Sequence, residues 1–132
     1  MISKEFLRFA FVGAIGFVVD TLVLYLTKSS LGYYGGRAVS FSAAVVTTWV
    51  LNRSMTFRDQ SSRLPLHKEF ISYLSLMLVG GTINYLSYSL LLMNSALARQ
   101  YPVLGVAVGS IAGMLGNYFS LKWLLFSHKA ER

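Results

Sequence analysis

Asp20, Asn84 and Asn117 each interrupt a long apolar run, and a polar group in that setting needs a reason. If the runs lie in hydrocarbon, a carboxylate near the middle of a helix costs about 2.5–3.5 kcal/mol unless it is protonated, paired or wet. Asp20 lies about 14 residues into its run, which at about 1.5 Å per residue sets it roughly 20 Å deep. It then either makes a helix-packing hydrogen bond as a neutral acid, or contacts a ligand or titrates at the wall of a cavity. Asn84, Asn117, Thr47 and Thr48 are weaker signals, because neutral polar groups often only tie helices together. Arg53, beside Asn52, and Lys122 stand near the ends of two runs. Each is followed four residues later by a phenylalanine, Phe57 or Phe126, and preceded by a polar–aromatic pair, Thr48-Trp49 or Asn117-Tyr118. Such cations could snorkel as topology anchors, but with a polar and aromatic face ahead of each and a phenylalanine behind they look less like simple stops. No paired carboxylates, Ser-His-Asp set or phosphate-cradling glycine loop can be assembled, so no enzyme, catalytic residue or cofactor is expected. His67 and His128 fall in charged loop or tail sequence and read as solvated residues rather than metal ligands. With no cysteine there is no disulfide framework and no thiolate metal site.

The elements that must position these residues are membrane helices. The chain of 132 residues is 55% hydrophobic and only 13% charged, where a soluble domain carries about 25% charge. Four apolar stretches, near 7–27, 37–57, 71–93 and 103–126, each approach or exceed the roughly 20 residues that cross a hydrocarbon core. Segments such as "LRFAFVGAIGFVV" lack the polar outer face of a soluble amphipathic helix. The expectation is an all-α integral membrane protein, a single transmembrane domain over 1–132 with four transmembrane helices. The first stretch opens with Lys4 and Arg8 but is too long for a cleaved signal and is interrupted by Asp20, so it reads as a retained helix. "KSSLGYYGGR", "RDQSSRLPLHKE" and "SALARQYP" read as the connections. With a cytoplasmic N-terminus, all but three of the 12 Lys and Arg residues fall on the inner side, the exceptions being Lys28, Arg37 and Arg99. That bias places both termini in the cytoplasm. It also accounts for the net charge of +7 without a nucleic-acid partner, leaving attraction to anionic membrane lipid as an addition.

An internal repeat is expected. Sliding the chain so that Phe6 falls on Phe70 also lays Phe9 on Tyr73, Gly16 on Gly80, Asp20 on Asn84 and Leu22 on Leu86. A slightly longer shift lays Thr48 on Asn117, Trp49 on Tyr118, Arg53 on Lys122 and Phe57 on Phe126. The coincidences involve rare polar positions, and they describe two repeated hairpins that start on the same side of the membrane. Gly105, Gly109 and Gly113, with Gly116 nearly on the same face, have the spacing that lets helix backbones approach closely, within one chain or at a dimer seam. Gly13 and Gly16 ahead of Asp20, and Gly80 ahead of Asn84, put small and polar residues on one helix side.

"RFAFVGAIGFVVD" from Arg8, "RAVSF" from Arg37 and "NRSMTF" from Asn52 resemble the GtrA-like family of small four-helix membrane proteins linked to cell-surface polysaccharide synthesis. The likeness spans nearly the whole chain, and "NYFSLKWLLF" is similar to a second copy of the same ending. Where that family usually has Trp before the final Thr-Phe pair, this chain has Met55. The resemblance implies a flippase for a polyprenyl-phosphate-linked sugar in the cytoplasmic (inner) membrane. Arg53 and Lys122, with Asn52, would then meet the phosphodiester. Asp20, Asn84 and Asn117 would hydrogen-bond the sugar, and Trp49 and Tyr118 would form walls. Two other classes stay open: a small proton-coupled multidrug-type transporter, and a non-transporting subunit that organises a glycosyltransferase. Four helices enclose little room, so a parallel homo-oligomer is expected.

Overall fold

The computed structural model describes residues 3–129, apart from the side chains of Tyr33 and Tyr34; Arg132, one of the inner-side cations, lies outside the described residues. The chain is mostly helical. Helix α1, Lys4–Leu51, starts where the Ser3 hydroxyl accepts a hydrogen bond from the Phe6 amide at 3.1 Å and Glu5 occupies the first turn. Both features satisfy the positive N-terminal end of a helix. At Gly32 the backbone takes φ 76°, ψ 179°, a conformation open to glycine, and α1 is broken there into two arms. Helix continues through most of 28–37, which the sequence reading had as a loop, because a single glycine suffices to redirect the chain.

The second arm runs into a π-helical turn, π1, Asn52–Thr56, closed by the Phe57 amide donating to the Asn52 carbonyl at 2.8 Å. After a two-residue strand, β1 (Gln60–Ser61), come helix α2 (Leu66–Asn94), the short α3 (Ala96–Gln100) and α4 (Val103–Ser120). A second π-helical turn, π2, Leu121–Leu125, follows α4 directly and closes through the Phe126 amide and the Leu121 carbonyl at 2.7 Å. Strand β2 (His128–Lys129) pairs antiparallel with β1, Gln60 opposite Lys129 and Ser61 opposite His128. The expected loop 95–102 holds α3, whose start is capped by the Ser95 hydroxyl accepting from the Ala98 amide at 3.2 Å. Arg99 donates to the Leu92 carbonyl at 2.8 Å, where α2 leaves carbonyls without helical partners.

Two compact units divide the chain: one runs to Ser61 and takes in His128 and Lys129, the other is Ser62–Ser127. In the first, Lys28 meets Gly36, Gly16 meets Thr48 and Arg8 meets Thr56, a reversed order that makes the arms of α1 antiparallel. In the second, α2 and α4 pack antiparallel through one seam. Gly105 faces Tyr88 and Leu92, Gly109 faces Asn84 and Tyr88, Gly113 faces Gly80 and Asn84, and Gly80 faces Asn117. A methyl group on Gly109 would lie 2.5 Å from Asn84 Oδ1 and 2.6 Å from the Asn84 carbonyl oxygen, so the seam requires the missing Cβ.

Among the described residues, three helical segments are long and apolar enough to cross a membrane: Lys4–Gly32 and Leu66–Asn94, of 29 residues each, and Val103–Leu125, of 23. At about 1.5 Å per residue even the shortest spans roughly 34 Å, against a core about 30 Å thick. The second arm of α1, the expected fourth span, is not one of the three and carries Arg37, Ser40, Ser42, Thr47 and Thr48. Large apolar side chains stand open to the surroundings, Phe17 at 71% and Leu26 at 78%, as lipid-facing residues do.

Candidate functional site

At the foot of the first unit, π1 gathers a polar network. Asn52 is buried, and its Oδ1 accepts from the buried Thr56 hydroxyl at 2.8 Å. Its amide is bonded to the carbonyls of Thr48 and Trp49, so the turn grows out of the helix without a break. A π-helical turn adds one residue to the hydrogen-bonded ring, rotating the following side chains relative to the α register. Arg53 is exposed in this turn and Trp49, one turn earlier, is half-buried. Arg8, from the other arm, donates through Nη2 to the Thr56 carbonyl at 3.3 Å. Phe9 and Phe57 lie beside this contact, both buried, with ring centroids 6.4 Å apart.

Higher in the same unit, Asp20 forms an ion pair with Arg37 of the opposite arm. The carboxylate is the more sheltered partner, its side chain 22% exposed against 56% for the guanidinium. The sequence reading asked whether Asp20 is paired, protonated or wet, and the answer is paired. From the sequence alone Arg37 reads only as an outer-side charge and the start of the "RAVSF" segment. The available signal was its position shortly after a glycine-rich turn, opposite an intramembrane acid.

In the second unit, Asn117, Tyr118 and Lys122 occupy the end of α4 and π2. Lys122 Nζ donates to the Tyr118 hydroxyl at 3.4 Å and sits 5.5 Å from the centre of its ring. Tyr118 is buried, and Phe119 stacks on Trp123 at 4.8 Å alongside it. Asn84 and Asn117 both lie in the α2–α4 glycine seam, against Gly109 and Gly80 respectively. The buried Oδ1 of Asn117 has no hydrogen-bond partner among the described residues. The second unit also buries Glu69, whose Oε1 accepts from the Ser62 hydroxyl at 2.6 Å, although its sequence neighbourhood reads as a polar connector.

The structure therefore brings Asn52 together with Thr56 and Arg8, Asp20 with Arg37, and Tyr118 with Lys122. Sequence reasoning omitted Arg8, Arg37 and Thr56 as site residues. Among the described residues no group of His, Asp and Glu is placed to hold a metal ion. Arg8 and Arg53 are the cations around π1, and the Asp20–Arg37 pair sets a donor beside an acceptor.

The family model for the GtrA/DPMS transmembrane domain matches residues 8–126, from the arginine at the foot of α1 to the phenylalanine that closes π2. The chain belongs to the GtrA/DPMS transmembrane-domain family. Membership, with the apolar helices, makes it a multi-pass membrane protein associated with processes that handle sugars on glycosyl carrier lipids. No curated protein and no solved structure matches the chain.

Proposed function

We propose that this protein moves a polyprenyl-phosphate-linked sugar across the cytoplasmic membrane, for modification of a cell-surface polysaccharide or lipopolysaccharide, without catalysing a covalent step. The observation that carries the reading is a chain of a carrier-lipid family in which a π-helical turn presents a cation at the foot of each unit, Arg53 in one and Lys122 in the other. The ligand has an apolar tail, an anionic phosphodiester and a sugar rich in hydroxyls. In the first unit Arg53 suits the phosphodiester, Asp20 with Arg37 the sugar, and Trp49 with the exposed apolar faces the tail; in the second, Lys122 likewise suits a phosphodiester and Tyr118 an apolar wall. Asn84 and Asn117 contribute within the glycine seam, where packing is their first role. We read the two units as copies of one hairpin, giving four crossing segments with both termini cytoplasmic. In support, the shift that lays Arg53 on Lys122 also lays π1 on π2, and the contact of Gly16 with Thr48 corresponds to that of Gly80 with Asn117. Parallel copies of the chain would supply the room for a sugar, and glycosyltransferases that load or use the lipid are the natural partners.

Pairing of Asp20 with Arg37 counts against the multidrug-type alternative, which needs an acid free to exchange protons. The test is reconstitution in vesicles with a labelled lipid-linked sugar, reading the fraction reached by a membrane-impermeant reagent. Protein-dependent movement is expected. Vesicles that show none, with protein that co-purifies with a glycosyltransferase, would overturn transport in favour of an organising subunit.

A further inference from the structure

Arg8 has a chemistry that topology alone leaves unexplained. Its Nη2 donates to the Thr56 carbonyl, while its Nε is buried and has no hydrogen-bond partner among the described residues. A guanidinium carries five N–H donors in a fixed fork, and a buried charged donor without an acceptor is among the costlier features a protein retains. We propose that Arg8 and the π1 turn form a binding site for a lipid phosphate ester in the first unit, with Arg8 gripping the ester beside Arg53. The proposal rests on the carrier-lipid reading for the class of lipid.

The parts fit that ligand. The Thr56 carbonyl belongs to the C-terminal end of π1 and holds one corner of the guanidinium, so the remaining edge is oriented before a ligand arrives. The Thr56 hydroxyl is itself fixed by Asn52 Oδ1 at 2.8 Å. Phe9 and Phe57, both buried, shield the contact from water and strengthen each charge-assisted bond made there. A planar fork takes two phosphate oxygens at once, and exposed Arg53 in the same turn adds positive potential. Glu5 stands one turn before Arg8 on the same arm. At the corresponding positions the second unit has Ser72 for Arg8, Leu121 for Asn52 and Leu125 for Thr56. It keeps the π-helical turn and lacks the polar network, so the turn's backbone does not by itself require those residues.

The experiment measures binding of polyprenyl phosphate, phosphatidic acid and inorganic phosphate to purified protein in detergent, for wild type, Arg8→Gln, Arg8→Lys and Lys68→Gln, with lipid-free thermal midpoints for each. Arg8→Gln should weaken polyprenyl phosphate binding roughly ten- to a hundredfold, the loss of one charge-assisted contact. Arg8→Lys should remain several-fold weak, because an ammonium caps the turn but cannot offer the fork. Exposed Lys68 controls for net charge, and its variant should bind within twofold of wild type. Unchanged binding in Arg8→Gln, or full recovery in Arg8→Lys, would make Arg8 a helix cap and overturn the site. Should Arg8→Gln not fold, Arg8→Lys decides, and failure of both to fold would likewise make Arg8 structural. Equal competition by inorganic phosphate, or equal affinity for phosphatidic acid, would overturn the carrier-lipid assignment. Wild type that binds neither lipid would instead remove the carrier-lipid reading itself, whereas lipid binding indifferent to Arg8 removes only this inference.

Discussion

Replacing Gly109 by alanine tests whether the α2–α4 seam is set by its missing side chains. The added methyl would sit 2.6 Å from the carbonyl oxygen of Asn84, a backbone atom that cannot rotate away. Ordinary carbon–oxygen contact requires the helices to part by roughly 0.5–1 Å, and overpacking of this kind costs about 1–3 kcal/mol. Alanine also favours helix over glycine by up to about 1 kcal/mol, which would blur a comparison with wild type. Gly81 supplies the reference, since it is exposed on the neighbouring helix and a methyl there meets nothing within 4 Å. The helix-propensity gain cancels between the two variants, leaving Gly109→Ala less stable than Gly81→Ala by about 1–3 kcal/mol. Reversible unfolding in mixed micelles, followed by circular dichroism, reads that difference directly. Agreement of the two variants within about 0.5 kcal/mol, the scatter expected of a surface change, would refute the close-packed seam.

Gly80→Ala should be destabilising alone because its methyl overlaps Asn117 Oδ1, while Asn117→Ala removes both the obstacle and an unpartnered acceptor. The double variant should therefore recover most of the loss, and simple additivity in the same unfolding assay would sink the assignment. Asp20→Asn and Arg37→Gln should each lower the folded yield by leaving one charge unpaired, by up to about 3 kcal/mol, with the double variant closer to wild type than either. Additive losses in that cycle would show that the pair does not couple. A reporter fused after the last residue should be active only in its cytoplasmic form, and activity restricted to the other side would overturn the orientation.

Much of the architecture was legible because hydrocarbon imposes it. The three segments that can cross a membrane overlap the apolar stretches at 7–27, 71–93 and 103–126, and the glycine spacing from Gly105 to Gly113 marks the face that meets α2. The π-helical turns were not legible, since a shifted hydrogen-bond ring over five residues leaves no periodic trace. Their effect was visible only as an unexplained regularity: polar–aromatic pair, cation, phenylalanine. Arg8 and Arg37 were missed for a different reason. Each meets its partner across the break at Gly32, and a charge counted toward orientation looks the same whether it anchors a helix or completes a site. Glu69 escaped because proximity to Pro65 and Lys68 suggested a wet connector, whereas the fold buries it with Ser62.

The Asp20–Arg37 pair bears on how the chain enters the membrane. Asp20 leaves the ribosome ahead of Arg37, and a lone carboxylate within a membrane span opposes partition into lipid by about 2.5–3.5 kcal/mol. If the second arm also enters the bilayer, as the proposed four crossing segments require, the first arm should wait at a proteinaceous or aqueous exit until the second has emerged and turned back at Gly32. On that proposal, insertion of the two arms is one event, with the glycine as its pivot and neutralisation of the pair as its trigger. Lengthening the stretch around Gly32 would then delay integration while leaving the hydropathy of either arm untouched.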